Sequence, residues 1–226
     1  MNKSLSLTIF LSLLFLISFT SHAQFSKGTK QVGGNLKFYQ TSMENDYALP
    51  TSFARTATYT TREISVLPRM GVFITNKFSI GTSVGFLNNY TKSKSVTVQN
   101  EFEQKMTSNL LRVQVFGRYH LKITDQLMLF GEGLANMRFG KGKTTMGTND
   151  YSEKLLGFGL GVKPGLILML NEKLGLETSI GFLGYQQETR KPVDRPELPI
   201  GNTNTQRDYG LSLSLATLDF GMQYYF

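Results

Sequence analysis

The 226-residue chain contains no cysteine, no tryptophan, six prolines and two histidines. The missing cysteine excludes a disulfide scaffold, a thiolate-ligated zinc or iron–sulfur centre, a thiol nucleophile and a lipid-modified cysteine anchor. Two histidines leave little for metal chemistry, and neither a metal nor a cofactor site is expected. After Phe19 no run of about 18 consecutive apolar residues occurs, so no later membrane helix is predicted. A mean hydropathy of −0.16 likewise does not fit a helical membrane protein. Few prolines beside 22 glycines and 17 phenylalanines argue for closely packed strands and against disorder. Positive charge is in excess, with 24 Lys and Arg against 16 Asp and Glu, a net charge of +8.

Residues 1–23 read as a secretory signal peptide, leaving residues 24–226 as one domain outside the cytoplasm. Lys3 supplies the basic start, Leu5 to Phe19 the apolar stretch, and Ser21-His22-Ala23 a small-x-small cleavage site. Cleavage there makes His120 the only histidine of the mature chain. Closed β-barrels escape a search for apolar runs, because each strand crosses a bilayer in ~9–11 residues and hides its hydrophobicity in alternation.

Alternation runs through the chain. Ile64, Val66, Pro68, Met70, Val72 and Ile74 share one face, against Glu63, Ser65, Leu67, Arg69, Gly71 and Phe73. Leu111, Val113, Val115, Tyr119 and Leu121 oppose Arg112, Gln114, Phe116, Arg118 and His120. The same pattern sets Leu156, Phe158, Leu160, Val162 and Leu166 against Gly157, Gly159, Gly161, Lys163 and Gly165. It recurs around Val32–Phe38, Phe78–Phe86, Leu127–Phe139 and Leu174–Phe182, and in the final segment, which changes phase near Ala216–Thr217 as a β-bulge would. Period two is the strand period, and about eight strands are counted.

Short connections at Thr75-Asn76-Lys77, Ile123-Thr124-Asp125 and Asn171-Glu172-Lys173 alternate with long polar ones at 41–61, 91–106, 140–153 and 186–208. The expected fold is all-β: an eight-stranded up-and-down antiparallel transmembrane β-barrel with short periplasmic turns and long extracellular loops. The apolar rows are assigned to lipid, ending in a girdle of Phe38, Phe78, Phe86, Tyr119, Phe139, Phe182, Tyr224 and Phe226. The polar rows are assigned to the lumen. There Arg69, Arg112, Arg118, Glu132, Arg138, Lys163 and Glu177 are predicted to pair in a charge network, because an unpaired charge inside a narrow barrel is costly. The glycine row on the sixth strand leaves room on one inner wall for long arginines from the facing wall, or for water.

In these residues the chain resembles the small outer-membrane β-barrels of Gram-negative bacteria. It is OmpA/OmpX-like in size and loop plan, and closest in style to the "outer membrane protein beta-barrel domain" group that includes PorT-like proteins of Bacteroidetes. The ending Leu218-x-Phe220-x-Met222-x-Tyr224-x-Phe226 is the most specific point of likeness. The resemblance implies location in the cell outer membrane, both termini in the periplasm, and Phe220, Tyr224 and Phe226 as a signal read by the barrel-insertion machinery. It also implies a link to secretion for PorT-like members.

The expected role is non-enzymatic, structural or interactive, through loops offered to an unidentified protein partner. Basic side chains in or beside those loops, Lys92, Lys94, Lys105, Lys141, Lys143, Lys154, Arg190, Lys191, Arg195 and Arg207, suit outer-membrane lipid and lipopolysaccharide phosphates, or simple solvation. Pro192, Pro196 and Pro199 stiffen the last loop. Nucleic acid is not an expected partner. Three alternatives stay open: a narrow pore or small-solute transporter, a lipid-modifying enzyme, and a soluble lipocalin-like carrier. For the enzyme His120 is the sole candidate base, and it falls at the short-turn end, away from the outer rim. No catalytic residue is assigned.

Overall fold

The structure, a computed structural model, describes residues 25–47, 55–97, 101–193, 203–212 and 218–226. The signal segment, the phase change at Ala216–Thr217, and Arg195, Pro196 and Pro199 lie outside the described residues. Every described element is a strand: β1 (Lys30–Tyr47), β2 (Arg55–Phe73), β3 (Phe78–Thr97), β4 (Glu101–Lys122), β5 (Leu127–Met146), β6 (Asn149–Met169), β7 (Leu174–Ser179), β8 (Phe182–Pro192), β9 (Asn204–Ser212) and β10 (Asp219–Tyr225). All pairings are antiparallel. β1 to β6 each pair with their successor, β10 joins β7, and β10 pairs with β1 over Gln31–Leu36, closing a ring of eight. Among the described residues β9 pairs only with β8, and β1 beyond Leu36 only with β2.

Ten strands make a ring of eight because the β8–β9 pair stands outside it: β6 is faced in succession by β7 along 165–169 and β8 along 153–162, and β9 lies beside β8 as β10 lies beside β7. From Ser179 to Leu183 the chain advances four residues while the partners Gly165 to Val162 advance three. The extra residue is a β-bulge at Gly181, whose φ of 79° suits glycine. The bulge changes the phase of β8. Ile180 still faces out, but Phe182 turns inward and lays its ring over Gly161. Phe182 is therefore not part of an outer girdle. Phe38, Phe86, Tyr119, Phe139, Tyr224 and Phe226 face out and are exposed, and Phe78 lies half-covered across Gly117.

The segments read as long loops are mostly strand. β1 to β4 run on through Thr41–Thr61 and Thr91–Met106, and only Gly147 and Thr148 separate β5 from β6. Their Thr, Ser and Lys residues are polar on both faces, so they carry no apolar alternation, yet β-branched threonine suits a ladder. The three short turns share one device. Thr75, Thr124 and Asn171 each accept hydrogen bonds from backbone amides two and three residues on, at 2.9–3.3 Å.

The glycine row of β6 is filled from neighbouring strands and not from the facing wall. Arg138 lies over Gly157, Asn136 over Gly159, Phe182 over Gly161 and Phe130 over Gly165. A Cβ on Gly165 would collide with the Phe130 ring and sit 2.6 Å from the Thr178 carbonyl oxygen, whereas one on Gly131 would meet nothing within 4 Å. Gly165→Ala is thus expected to lower unfolding stability by about 1–3 kcal/mol. Gly131→Ala should be neutral to slightly stabilising. Urea unfolding of the two variants in detergent checks the contrast.

Candidate functional site

The lumen is layered from the short-turn end upward. Phe25, Phe73, Met128, Phe130, Ile167, Met169 and Tyr225 form a buried apolar plug. Phe25 stands just beyond the expected cleavage point, and its ring centroid lies 4.4 Å from Phe73 and 4.3 Å from Tyr225. His120 is buried in the same layer, 4.8 Å from the Phe73 ring, and neither of its ring nitrogens makes a hydrogen bond. Among the described residues it thus makes no hydrogen bond to a nucleophile or an orienting carboxylate. Among the described residues, no group of three metal-ligating side chains is placed to hold an ion.

Above the plug four charged side chains from four strands meet. Arg118 on β4 and Glu132 on β5 are register partners, bonded through Nη2 at 2.6 Å and Nε at 3.0 Å to Oε2. Arg69 on β2 reaches the same Glu132 oxygen at 2.5 Å and Glu177 Oε1 on β7 at 3.2 Å. Arg118 Nη1 closes the square on Glu177 Oε2 at 2.5 Å. Asn35 Nδ2 and Gln223 Nε2 donate to Glu177 Oε1 at 3.1 and 3.3 Å. Each guanidinium also stacks on an aromatic ring, Arg69 over Phe116 at 4.0 Å and Arg118 over Phe130 at 3.9 Å. All four charged residues are at most 3% exposed, so water does not screen them. The square is neutral, two positive against two negative. Lys163 extends it, 3.8 Å from Glu132 Oε1 and 3.1 Å from Asp219 Oδ2.

Arg112 and Arg138 do not join this lattice. They are register partners on β4 and β5, one layer higher, and they line a cavity of about 140 Å³ with Lys37, Glu63, Gln114 and Asn136. Among the described residues neither arginine has a carboxylate within 4 Å, and Arg138 makes one long bond, Nη2 to Gln186 Oε1 at 3.4 Å. Above them, Leu87, Leu110 and Leu155 form a small apolar layer.

Of the terminal aromatics, Phe220, Tyr224 and Phe226 all face out from β10. Tyr224 and Phe226 stack at 6.0 Å, and Lys30 Nζ lies over the Phe226 ring at 6.0 Å. The sequence pattern marks the four charges of the square, but not Asn35 and Gln223 as partners of Glu177, the aromatic seats at Phe116 and Phe130, or the plug. A strand pattern carries no record of which inward side chains meet across the lumen.

No family model matches the chain, and no curated protein does. Among solved structures it is similar to the outer membrane protein OprG from Pseudomonas aeruginosa, with 14% identity and a TM-score of 0.46, covering 91% of this chain and 99% of that one. That distance carries no residue and no role across to this chain.

The lattice gives a direct stability prediction. Glu177→Gln leaves Arg69 and Arg118 facing a single carboxylate in a dry layer, an expected loss of about 3–5 kcal/mol. The same change at Glu101, half-exposed beside Lys94, should leave the urea midpoint unmoved.

Proposed function

We propose that the chain is a closed, non-enzymatic barrel of the Gram-negative outer membrane, acting structurally or through contacts at its outer end. The observation that carries this reading is the sense of the wall, with apolar residues exposed outside and charges enclosed. Val113, Val115, Leu121, Met137, Leu160 and Val162 are exposed. Arg69, Arg118, Glu132 and Glu177 are enclosed. A water-soluble monomer does not carry an exposed apolar belt of this extent, and a lipocalin-like carrier needs the opposite arrangement. From Leu111 to Leu121, β4 rises about 33 Å at ~3.3 Å per residue, or roughly 25 Å along the axis at a tilt of ~40°, the height of an apolar band. The belt also has a sharp edge. Phe86, Leu111, Phe139 and Leu156 are successive cross-strand neighbours facing out, and the next outward residues are Asn88, Asn109, Lys141 and Lys154.

The plug speaks for a lumen that does not conduct. The finer likeness, to OmpA/OmpX-like and PorT-like barrels, is kept as part of this proposal, as are insertion through Phe220, Tyr224 and Phe226, and a protein partner at the outer end. Spin labels at Val113 and Leu160 of the protein in vesicles should be relaxed by oxygen and shielded from a water-soluble nickel chelate. Accessibility to the chelate would overturn the reading.

Lipopolysaccharide contact has a specific address on this wall. Most basic residues of the upper strands are already paired, Lys92 and Lys105 to Glu103, Lys94 to Glu101 and Lys143 to Asp150. Hydrogen bonds from Lys105 and Lys92 hold the Glu103 carboxyl well below the usual range, at about 2. Lys141, Lys154 and Lys191 differ. They are consecutive cross-strand neighbours on β5, β6 and β8, exposed just above the belt, with no carboxylate within 4 Å among the described residues. Three aligned ammonium groups at that height suit anionic headgroups. Replacing all three with alanine should strip bound lipopolysaccharide from the purified protein without changing its heat-modifiable gel mobility. Retention at the wild-type level would remove this address.

A further inference from the structure

The cavity above the ionic lattice has a charge imbalance that no ion pair among the described residues cancels. Six charged side chains line it: Lys37, Glu63, Arg112, Arg138, Lys163 and Asp219. Lys37 takes Glu63 at 2.9 Å and Lys163 takes Asp219 at 3.1 Å. Two neutral pairs are thereby formed, and Arg112 and Arg138 remain, two positive charges with no carboxylate partner among the described residues.

Their placement makes the imbalance costly. As direct cross-strand partners on the inner face they repel each other, and arginine does not shed its proton to relieve the repulsion. The Nε atoms of both are buried without a hydrogen-bond acceptor. Gly157 keeps the adjoining wall bare, so that Arg138 lies flat against it, with Nε 3.2 Å from where a Cβ would stand. Gln114 and Asn136, also nearly buried, line the same space and carry amide donors.

We propose that this chamber is a binding site for a small oxyanion of two negative charges, inorganic phosphate or sulfate in kind, held between Arg112 and Arg138. Two guanidinium forks present paired donors that match tetrahedral oxygens, and the two excess positive charges match a dianion. A cavity of about 140 Å³ admits a single such ion and leaves no room for a nucleotide. Glu63 and Asp219 do not repel it strongly, because each is already bonded to a lysine. The inference does not depend on the membrane reading, since the chamber is internal to the barrel.

The test uses the full mature protein, folded in detergent, with inorganic phosphate as the probe. Phosphate should raise the urea midpoint above that in sodium chloride of equal ionic strength. Arg112→Gln or Arg138→Gln should weaken the effect at least tenfold, and the double variant should abolish it. Without phosphate the double variant should be at least as stable as wild type, because a repulsion has gone; a purely structural role for the arginines would make it less stable. The variant with alanine at Lys141, Lys154 and Lys191 should keep the full response, which separates the chamber from the outer wall. On the wild-type protein alone, phosphate should protect Arg112 and Arg138 from phenylglyoxal, read by peptide mass spectrometry, and chloride should not. Micellar short-chain phosphatidic acid should not protect them, since a headgroup on a lipid stays outside the barrel. Equal responses to phosphate and chloride, protection by the lipid phosphate alone, or a full phosphate response in the double variant would each overturn the proposal.

Discussion

Arg69, Arg118, Glu132 and Glu177 come from β2, β4, β5 and β7, and they meet in the middle of the ring they help to define. Around the ring β2 stands three strands from β5, and β4 three from β7, so Arg69–Glu132 and Arg118–Glu177 span the lumen, while Arg118–Glu132 bonds along the wall. Hydrogen bonding within a ladder sets the spacing of neighbours and says nothing about opposite walls. Something inside must do that, and here it is a neutral square of charges seated on two aromatic rings. Its net energetic worth is modest, because removing four ions from water offsets most of their attraction. Its geometric effect is large, because any other register of the four strands leaves a charge unpaired in a dry layer.

The neighbouring layers follow from that square. Below it, the lumen can be apolar, since the charges above are already mutually satisfied, and Phe25, Phe73 and Tyr225 close the short-turn end around His120. The Phe130 ring belongs to both layers, packing in the plug and carrying Arg118 over its face. Above the square, no second ring of carboxylates forms among the described residues. Glu63 and Asp219 are spent on lysines, and the arginines of the next level are left to one another.

What the sequence made legible was the period and the sense of the wall. Val113 and Val115 out, Gln114 and Phe116 in, can be read from four letters, because the strand period admits only two faces. The long polar connections were less legible. A strand whose two faces both meet water has no apolar row to announce it, and threonine-rich stretches such as 56–61 read as loop until their pairing is seen. The bulge at Gly181 was hidden by the same logic, since one extra residue in a row of otherwise alternating letters leaves Phe182 looking like its neighbours. Within the lumen, Arg112 and Arg118 are the same residue on the same face of one strand, yet one is bonded four times over and the other is not. The difference lies in what β5 and β7 bring to each level, Glu132 and Glu177 to Arg118 but Arg138 to Arg112, and the contact across to β7 has no local signature.

The same hairpin, β5 with β6, also places cations on both surfaces of one sheet. Arg138 points inward opposite Gly157, while Lys141 and Lys154 face out a few residues on. Like charges facing across a ladder are unfavourable in either place, but not equally. Outside, water and salt screen the lysines within about 8 Å, so their repulsion is mild and an anionic surface is an advantage without being a necessity. Inside, Arg112 and Arg138 share a confined cavity of about 140 Å³, and the same arrangement calls for a counter-ion of definite size and charge. One repeated motif, two cations side by side on adjacent strands, therefore has different consequences on the two faces: the outer row favours a broad anionic layer, and the inner pair calls for a single ion.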